Sequence, residues 1–273
     1  MNLTPIQQVI PEKNIVAFTP HYDDFPLGLG GYVQELKAQN LLQSKSFHIL
    51  LIFSRSNYQA GDGKANYDAS LERVKYATGR RLLEDQNCLD ELLGEHNYRY
   101  ELLGEKECFV RQKVYAQNEM EYPHGSYADF DDEDRQIFSR LKNLVRRWAQ
   151  QEDTALVFPT AIMEHIDHFL TREAGIHVAK EMGSRARAKF YFQEDKPYAG
   201  IADPGELAAL ETFVQGHRLQ PRVYRNHPER IVELVFRHYT SQVNELYRKG
   251  VLQRSEQLKQ AYAIAEACDR IFV

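Results

Sequence analysis

The sequence predicts an α/β fold: a single-domain, mostly parallel sheet with helices on both faces. Three observations carry that expectation. Short continuous apolar runs at 14–18, 48–53 and 155–158 alternate with longer segments of helical period. Strands without polar alternation belong to parallel sheets that are covered on both sides. Two clusters of chemistry-bearing residues, His21-Tyr22-Asp23-Asp24 and His165-Ile166-Asp167-His168, directly follow two of those runs. Open α/β sheets build their sites beyond the carboxyl ends of strands.

Taken in order, residues 14–19 read as a strand. Residues 28–43 read as a helix, with Leu29, Tyr32, Val33, Leu36 and Leu41 spaced along it. A second buried strand is expected at 48–53, followed by a long loop at 54–68, rich in Gly, Asn, Asp and Tyr. Residues 70–93 return to helical character, and a third strand fits 98–102. A helix is expected over 133–151, a strand at 155–158 and an aromatic strand at 188–192. From about 206 the chain reads as mostly helical. The acidic run Asp129–Asp134 reads as a solvated turn leading into a helix. Gly28-Leu29-Gly30-Gly31 fails the dinucleotide pattern because position 33 is Val. Its glycines are expected to permit close backbone packing at a helix start. No linker or internal repeat divides the chain, so 1–273 is expected to be one domain.

Composition narrows the function classes. The 273 residues are 43% hydrophobic and 27% charged, with a formal net charge of −5. That suits a globular protein and gives no basic surface for nucleic acid. No apolar run approaches the ~18 residues of a membrane span. The first residues lack the charged start, apolar stretch and cleavage site of a secretory signal. Cys88, Cys108 and Cys268 are odd in number and far apart, which predicts packed thiols in a reducing cytoplasm.

Crowded His and Asp side chains at a strand end are costly unless a cation or a reaction uses them. A zinc hydrolase site takes three ligands from His, Asp or Glu and leaves one position open. His21 and Asp24, three apart, can turn to one point, and His168 can supply the third ligand. Asp23 is then free to take a proton from water. His165, one helical turn before His168, could contact the oxygen that becomes negative during attack on a carbonyl. Asp167 could orient a histidine. Either cluster alone also suits a helix cap or a surface loop; two together, each past a strand, favour a site. Tyr58, Tyr67, Tyr122 and Tyr127 suit sugar stacking or ordinary loops. His124 and His227, each beside a proline, read as turn residues. His48, His177 and Met163 read as packing.

His21-Tyr22-Asp23-Asp24-Phe25-Pro26-Leu27-Gly28-Leu29-Gly30-Gly31 resembles the H-P-D-D-E-x-x-G-x-G-G signature of LmbE-like (PIG-L) deacetylases. Glu164-His165-Ile166-Asp167-His168 resembles their later H-P-D-H. Arg81-Leu82-Leu83-Glu84 with Leu93-Gly94 is similar to their R-x-x-E helix and L-G. Residues 190–198 are similar to their Y-Y-Y-E-D-x-P-Y segment, and Tyr239-Thr240-Ser241-Gln242 to their Y-x-S-Q. The resemblance runs from about residue 14 to 242, and its first two motifs carry most of the specificity.

It implies a Rossmann-like domain and a zinc amidase that removes acetyl groups from amino sugars or related glycosides, with one Zn²⁺ per chain. His21, Asp24 and His168 map onto the zinc ligands, Asp23 onto the general base and His165 onto the transition-state histidine. Arg81 maps onto a substrate-contacting arginine. The expected partner is a small-molecule or glycoconjugate substrate, with a homo-oligomer compatible. Tyr22 and Ile166 replace prolines, and Phe25 replaces a glutamate, where a bulky aromatic could reshape the pocket. Two competing readings stand beside this one. The chain could be a metal hydrolase of another amide or ester, or a catalytically idle, metal-stabilised binding protein. Retention of Asp23 argues against the idle reading, since holding a metal does not require it.

Overall fold

In the computed structural model, which describes residues 2–113 and 125–273, the apolar runs become neighbouring strands. The strands are β1 (Asn14–Thr19), β2 (Ser46–Leu51), β3 (Tyr98–Leu102), β4 (Thr154–Pro159), β5 (Lys189–Gln193), β6 (Pro221–Arg225) and β7 (Cys268–Phe272). Among the described residues they form one sheet in the order β3-β2-β1-β4-β5-β7-β6. The strands β1 to β5 are parallel to one another, while β7 runs antiparallel to both β5 and β6. The expected mostly parallel α/β sheet is the one found.

The continuous apolar runs have a direct cause. In β1, Ile15 and Ala17 enter one core cluster, while Val16 and Phe18 enter the other. The first core lies under α1 (Ile6–Val9), α2 (Asp24–Ala38), α3 (Leu71–Leu93), α8 (Pro228–His238) and α9 (Glu245–Tyr262). The second lies under α4 (Asp132–Trp148), α5 (Ile166–Met182) and α7 (Pro204–Gly216). A short α6 (Tyr198–Ile201) follows β5. With both faces covered, successive side chains are all buried, so polar alternation disappears.

Several local expectations are corrected. Helix α2 begins at Asp24, not 28, so the metal-type cluster runs straight into its first turn. The glycines of α2 meet side chains, not backbone: a Cβ on Gly28 would lie 2.1 Å from Gln193 Nε2. The acidic run is only partly solvated. Asp131 caps α4 in a capping box with Asp134, which is itself fully buried and paired with Arg111. Strands β6 and β7 were not expected in the mostly helical C-terminal part. Their apolar runs are broken by charges, yet β7 is buried throughout. Asp269 is neutralised by Lys196 and Arg270 by Glu194, so charges sit where an apolar pattern was sought.

Candidate metal centre and active site

The two His/Asp clusters meet because β1 and β4 are hydrogen-bonded neighbours, in register from Asn14 opposite Thr154 to Ala17 opposite Val157. The chain leaves β1 towards β2 and β3 on one side, and continues from β4 to β5 on the other. Strand order therefore reverses between them, which opens a crevice at their carboxyl ends. Phe18 stacks on Phe158 at 4.6 Å between ring centroids and ties the two strands below the site. His21 leaves β1 after Pro20 and precedes α2; His165 caps α5, which carries Asp167 and His168 in its first turn.

His21, Asp24 and His168 converge. The distances are 3.2 Å from His168 Nε2 to His21 Nδ1, 3.4 Å from His168 Nε2 to Asp24 Oδ2, and 3.5 Å from His21 Nδ1 to Asp24 Oδ2. A tetrahedral ion with bonds of about 2.0–2.1 Å has edges of about 3.3–3.4 Å, so this donor set fits zinc. The far nitrogen of each ring meets a carboxylate. His21 Nε2 lies 3.0 Å from Asp167 Oδ2, and His168 Nδ1 donates to Asp195 Oδ1. Such carboxylate–histidine pairs direct the other ring nitrogen toward a metal. A second group, His21, His165 and Asp167, is also close. Its carboxylate is already engaged, by Cys108 N at 2.9 Å and Arg111 Nη2 at 2.6 Å, so it suits a metal less well.

Burial pushes the Asp24 carboxyl above its ordinary range, although His168 and His21 oppose the shift. Burial alone would lower His168, yet Asp24 and Asp195 outweigh it and hold the imidazole at about 9. Asp167 is buried, which by itself would raise it; Arg111 and His21 more than reverse this and keep it ionised. Burial and the neighbouring His21 hold His165 well below its usual value, so it is neutral. Its Nδ1 accepts from Asp167 N at 3.2 Å, which assigns the ring proton to Nε2. His165 is thus a neutral N–H donor, with Cys108 Sγ 3.7 Å from that nitrogen.

Asp23 occupies the N-cap position of α2 but its side chain makes no capping hydrogen bond. Its Oδ1 lies 3.7 Å from Arg81 Nη2. Arg81 projects from α3 and is only 3% exposed. It donates to Glu107 Oε2 at 2.7 Å and Ser56 Oγ at 2.6 Å, and lies over the rings of Tyr22 and Tyr58. Tyr22, where the family motif has proline, is fully buried and donates to the Ser54 carbonyl at 2.6 Å. Packing replaces proline's stiffness there. Ile166 is likewise buried in the second core. Phe25 points into the first core, edge-on to Phe47 at 6.1 Å, and so does not shape the site.

The structure gives roles to residues that the sequence left without one. Asp195, matched in sequence only as part of the 190–198 segment, lies two residues past β5, and its place just beyond a strand end was a usable signal. Glu107, Cys108 and Arg111 follow β3 in a stretch without a recognisable pattern. Two weak motifs turn out to be joined: Glu84 on α3 accepts from Ser241 Oγ at 2.5 Å, and Tyr239 donates to Asp85. Among the loop tyrosines, Tyr58 stacks on Phe109 at 5.8 Å and Tyr67 meets it edge-on at 5.5 Å. Tyr127 packs on Phe130 and Phe169 and donates to Glu173 at 2.6 Å. His227 precedes α8 and lies 3.1 Å from Glu35. Tyr122 and His124 lie outside the described residues. No helix among the described residues is long and apolar enough to cross a membrane.

No protein-family model and no curated protein sequence matches the chain. Solved structures match it over nearly its full length. A teicoplanin-pathway deacetylase complex is 19% identical, with a TM-score of 0.59, covering 95% of this chain and 96% of that one. A zinc-inhibited form of teicoplanin deacetylase is 17% identical, with a TM-score of 0.60 and coverage of 95% and 97%. The N,N'-diacetylchitobiose deacetylase of Pyrococcus horikoshii is 12% identical, with a TM-score of 0.54 and coverage of 98% and 87%. All three are deacetylases, and the chain shares their fold.

Proposed function

We propose that the chain is a zinc-dependent N-deacetylase of the LmbE-like (PIG-L) type, acting on an N-acetylated amino sugar or glycoconjugate in the cytoplasm, with residues 1–273 as one catalytic domain. One observation carries this reading: three buried donors, from His21, Asp24 and His168, stand at the edge spacing of a tetrahedral ion beside a carboxylate that the ion does not need. Zinc held there would supply a Lewis acid for an amide carbonyl and make water acidic enough to attack near neutral pH.

The chain's own groups divide the remaining work. Asp23 accepts the proton of the attacking water and later returns it to the departing amine. His165 donates from Nε2 to the carbonyl oxygen as negative charge develops on it, and its neutral state suits that role. Asp167 holds His21, and Asp195 holds His168. Arg81 stands behind Asp23 as the residue that supports its carboxylate and borders the substrate. The shared fold with enzymes that deacetylate sugar-bearing molecules supports this substrate class. The test is elemental analysis of purified protein together with an acetate-release screen over N-acetylated sugars and glycosides. About one divalent ion per chain and release of acetate plus free amine are expected. Hydrolysis of simple esters or phosphoesters without acetate release would overturn the reading.

A further inference from the structure

We infer that Asp195 is a positioning residue that serves both halves of the site at once, holding a metal ligand with one oxygen and the approach to His165 with the other. This rests on the zinc-hydrolase reading above. Asp195 is 6% exposed. Its Oδ1 accepts from His168 Nδ1. Its Oδ2 accepts from Thr160 Oγ1 at 2.7 Å and from Ile162 N at 3.3 Å.

The turn it grips is unusual. Ala161, Met163 and Glu164 have φ of 56°, 62° and 52°, a left-handed backbone that ordinary side chains adopt rarely. Such a segment persists only where its surroundings overdetermine it. The grips here are Asp195 on Thr160 and Ile162, Arg172 Nη1 on the Thr160 carbonyl at 3.0 Å, and Gly125 N on the Glu164 carbonyl at 2.8 Å. The next residue is His165. A single carboxylate therefore sets two things: which nitrogen of His168 carries a proton, and the direction in which the chain delivers His165.

The chemistry requires a carboxylate. Three donors converge on Asp195, and an amide of the same shape offers one acceptor oxygen and a donating NH₂. If the NH₂ of an asparagine faced His168, the ring proton would move to Nε2, the nitrogen that faces His21 and Asp24. If its oxygen faced His168, the NH₂ would oppose Ile162 N–H and loosen the turn, and His168 would lose its charged acceptor. Thr160→Val removes only the hydroxyl on the turn side.

The two arms are tested on the full-length protein by zinc affinity in chelator competition, by the absorption spectrum of the cobalt-substituted protein, and by kcat and KM. Asp195→Asn should weaken zinc binding by roughly 10- to 100-fold, alter the cobalt spectrum and lower kcat. Thr160→Val should bind zinc within about twofold of wild type, with an unchanged cobalt spectrum, yet lose roughly 10-fold or more in kcat at similar KM. Wild-type zinc affinity and cobalt spectrum in Asp195→Asn would overturn the inference while leaving the functional reading intact. So would wild-type kcat in Thr160→Val, or zinc loss in Thr160→Val equal to that in Asp195→Asn. If Asp195→Asn fails to fold, Thr160→Val still decides the coupling to His165. Wild-type protein that binds no divalent ion would overturn the functional reading, and this inference with it.

Discussion

Glu194, one residue before Asp195, should make the fold acid-labile by a calculable amount. It is buried at the end of β5 between two arginines. Arg254 contacts it through Nε at 2.6 Å and Nη2 at 2.7 Å, and Arg270 through Nε at 2.5 Å. Burial alone would raise its carboxyl, but the two guanidinium groups outweigh that and hold it at about 2. An unfolded glutamate titrates near 4.3, so the difference of roughly 2.3 units corresponds to about 3 kcal/mol. A depressed carboxyl contributes its stability fully above the unfolded value and loses it as pH falls toward the folded value. The window therefore runs from about pH 5 down to about pH 2, with about 2 kcal/mol lost by pH 3.

The perturbation is Glu194→Gln, which keeps the shape but leaves Arg254 and Arg270 without their carboxylate. At pH 7 the variant should be about 3–5 kcal/mol less stable than wild type, because buried cations lose their partner. That gap should narrow by about 2 kcal/mol at pH 3, since Glu194 of the unfolded wild-type chain takes up a proton there and the variant has no such group. Urea unfolding followed by circular dichroism, for both proteins at pH 7, 5, 4 and 3, measures it. A gap that stays constant, or widens, as pH falls would refute the claim that Arg254 and Arg270 hold Glu194 ionised.

Other expectations concern the site. Replacing His21, Asp24 or His168 by Ala should abolish stoichiometric metal binding, and full metal content in all three variants by elemental analysis would end the ligand assignment. Asp23→Asn and His165→Ala should each keep the metal and lower kcat by roughly 10²-fold or more, because both groups act on protons or charge that move during reaction. Near-native turnover with metal bound would remove the role from whichever residue showed it. Arg81→Met should lower kcat by roughly 10-fold or more with a smaller change in KM, since the guanidinium is buried against Glu107 and Asp23. A large rise in KM with kcat retained would make Arg81 a substrate-binding residue alone.

Much of this protein was determined within short windows of its sequence. Apolar runs such as 14–18 and 155–158 report strands buried on both faces, because covering both faces removes polar alternation. His21, Asp23 and Asp24, and likewise His165, Asp167 and His168, are neighbours in sequence, so their crowding is visible before any folding. Their position after apolar runs also places them at the carboxyl ends of strands, where such sheets bind ligands.

What the tertiary structure decided depends on partners far apart in sequence. The adjacency of β1 and β4, which turns two clusters into one site, is a property of strand order. Asp195 reaches His168 only because β5 lies beside β4, and Arg111 reaches Asp167 across 56 residues of chain. The same holds for β7, whose Asp269 and Arg270 look like surface residues until Lys196 and Glu194 neutralise them. Phe25 occupies a motif position beside the ligands, yet the helix turns it into the core. Local pattern reports which faces are apolar and which residue types are crowded. It does not report which distant charge makes burial of a polar group affordable, because that energy belongs to pairs that only the folded chain brings together.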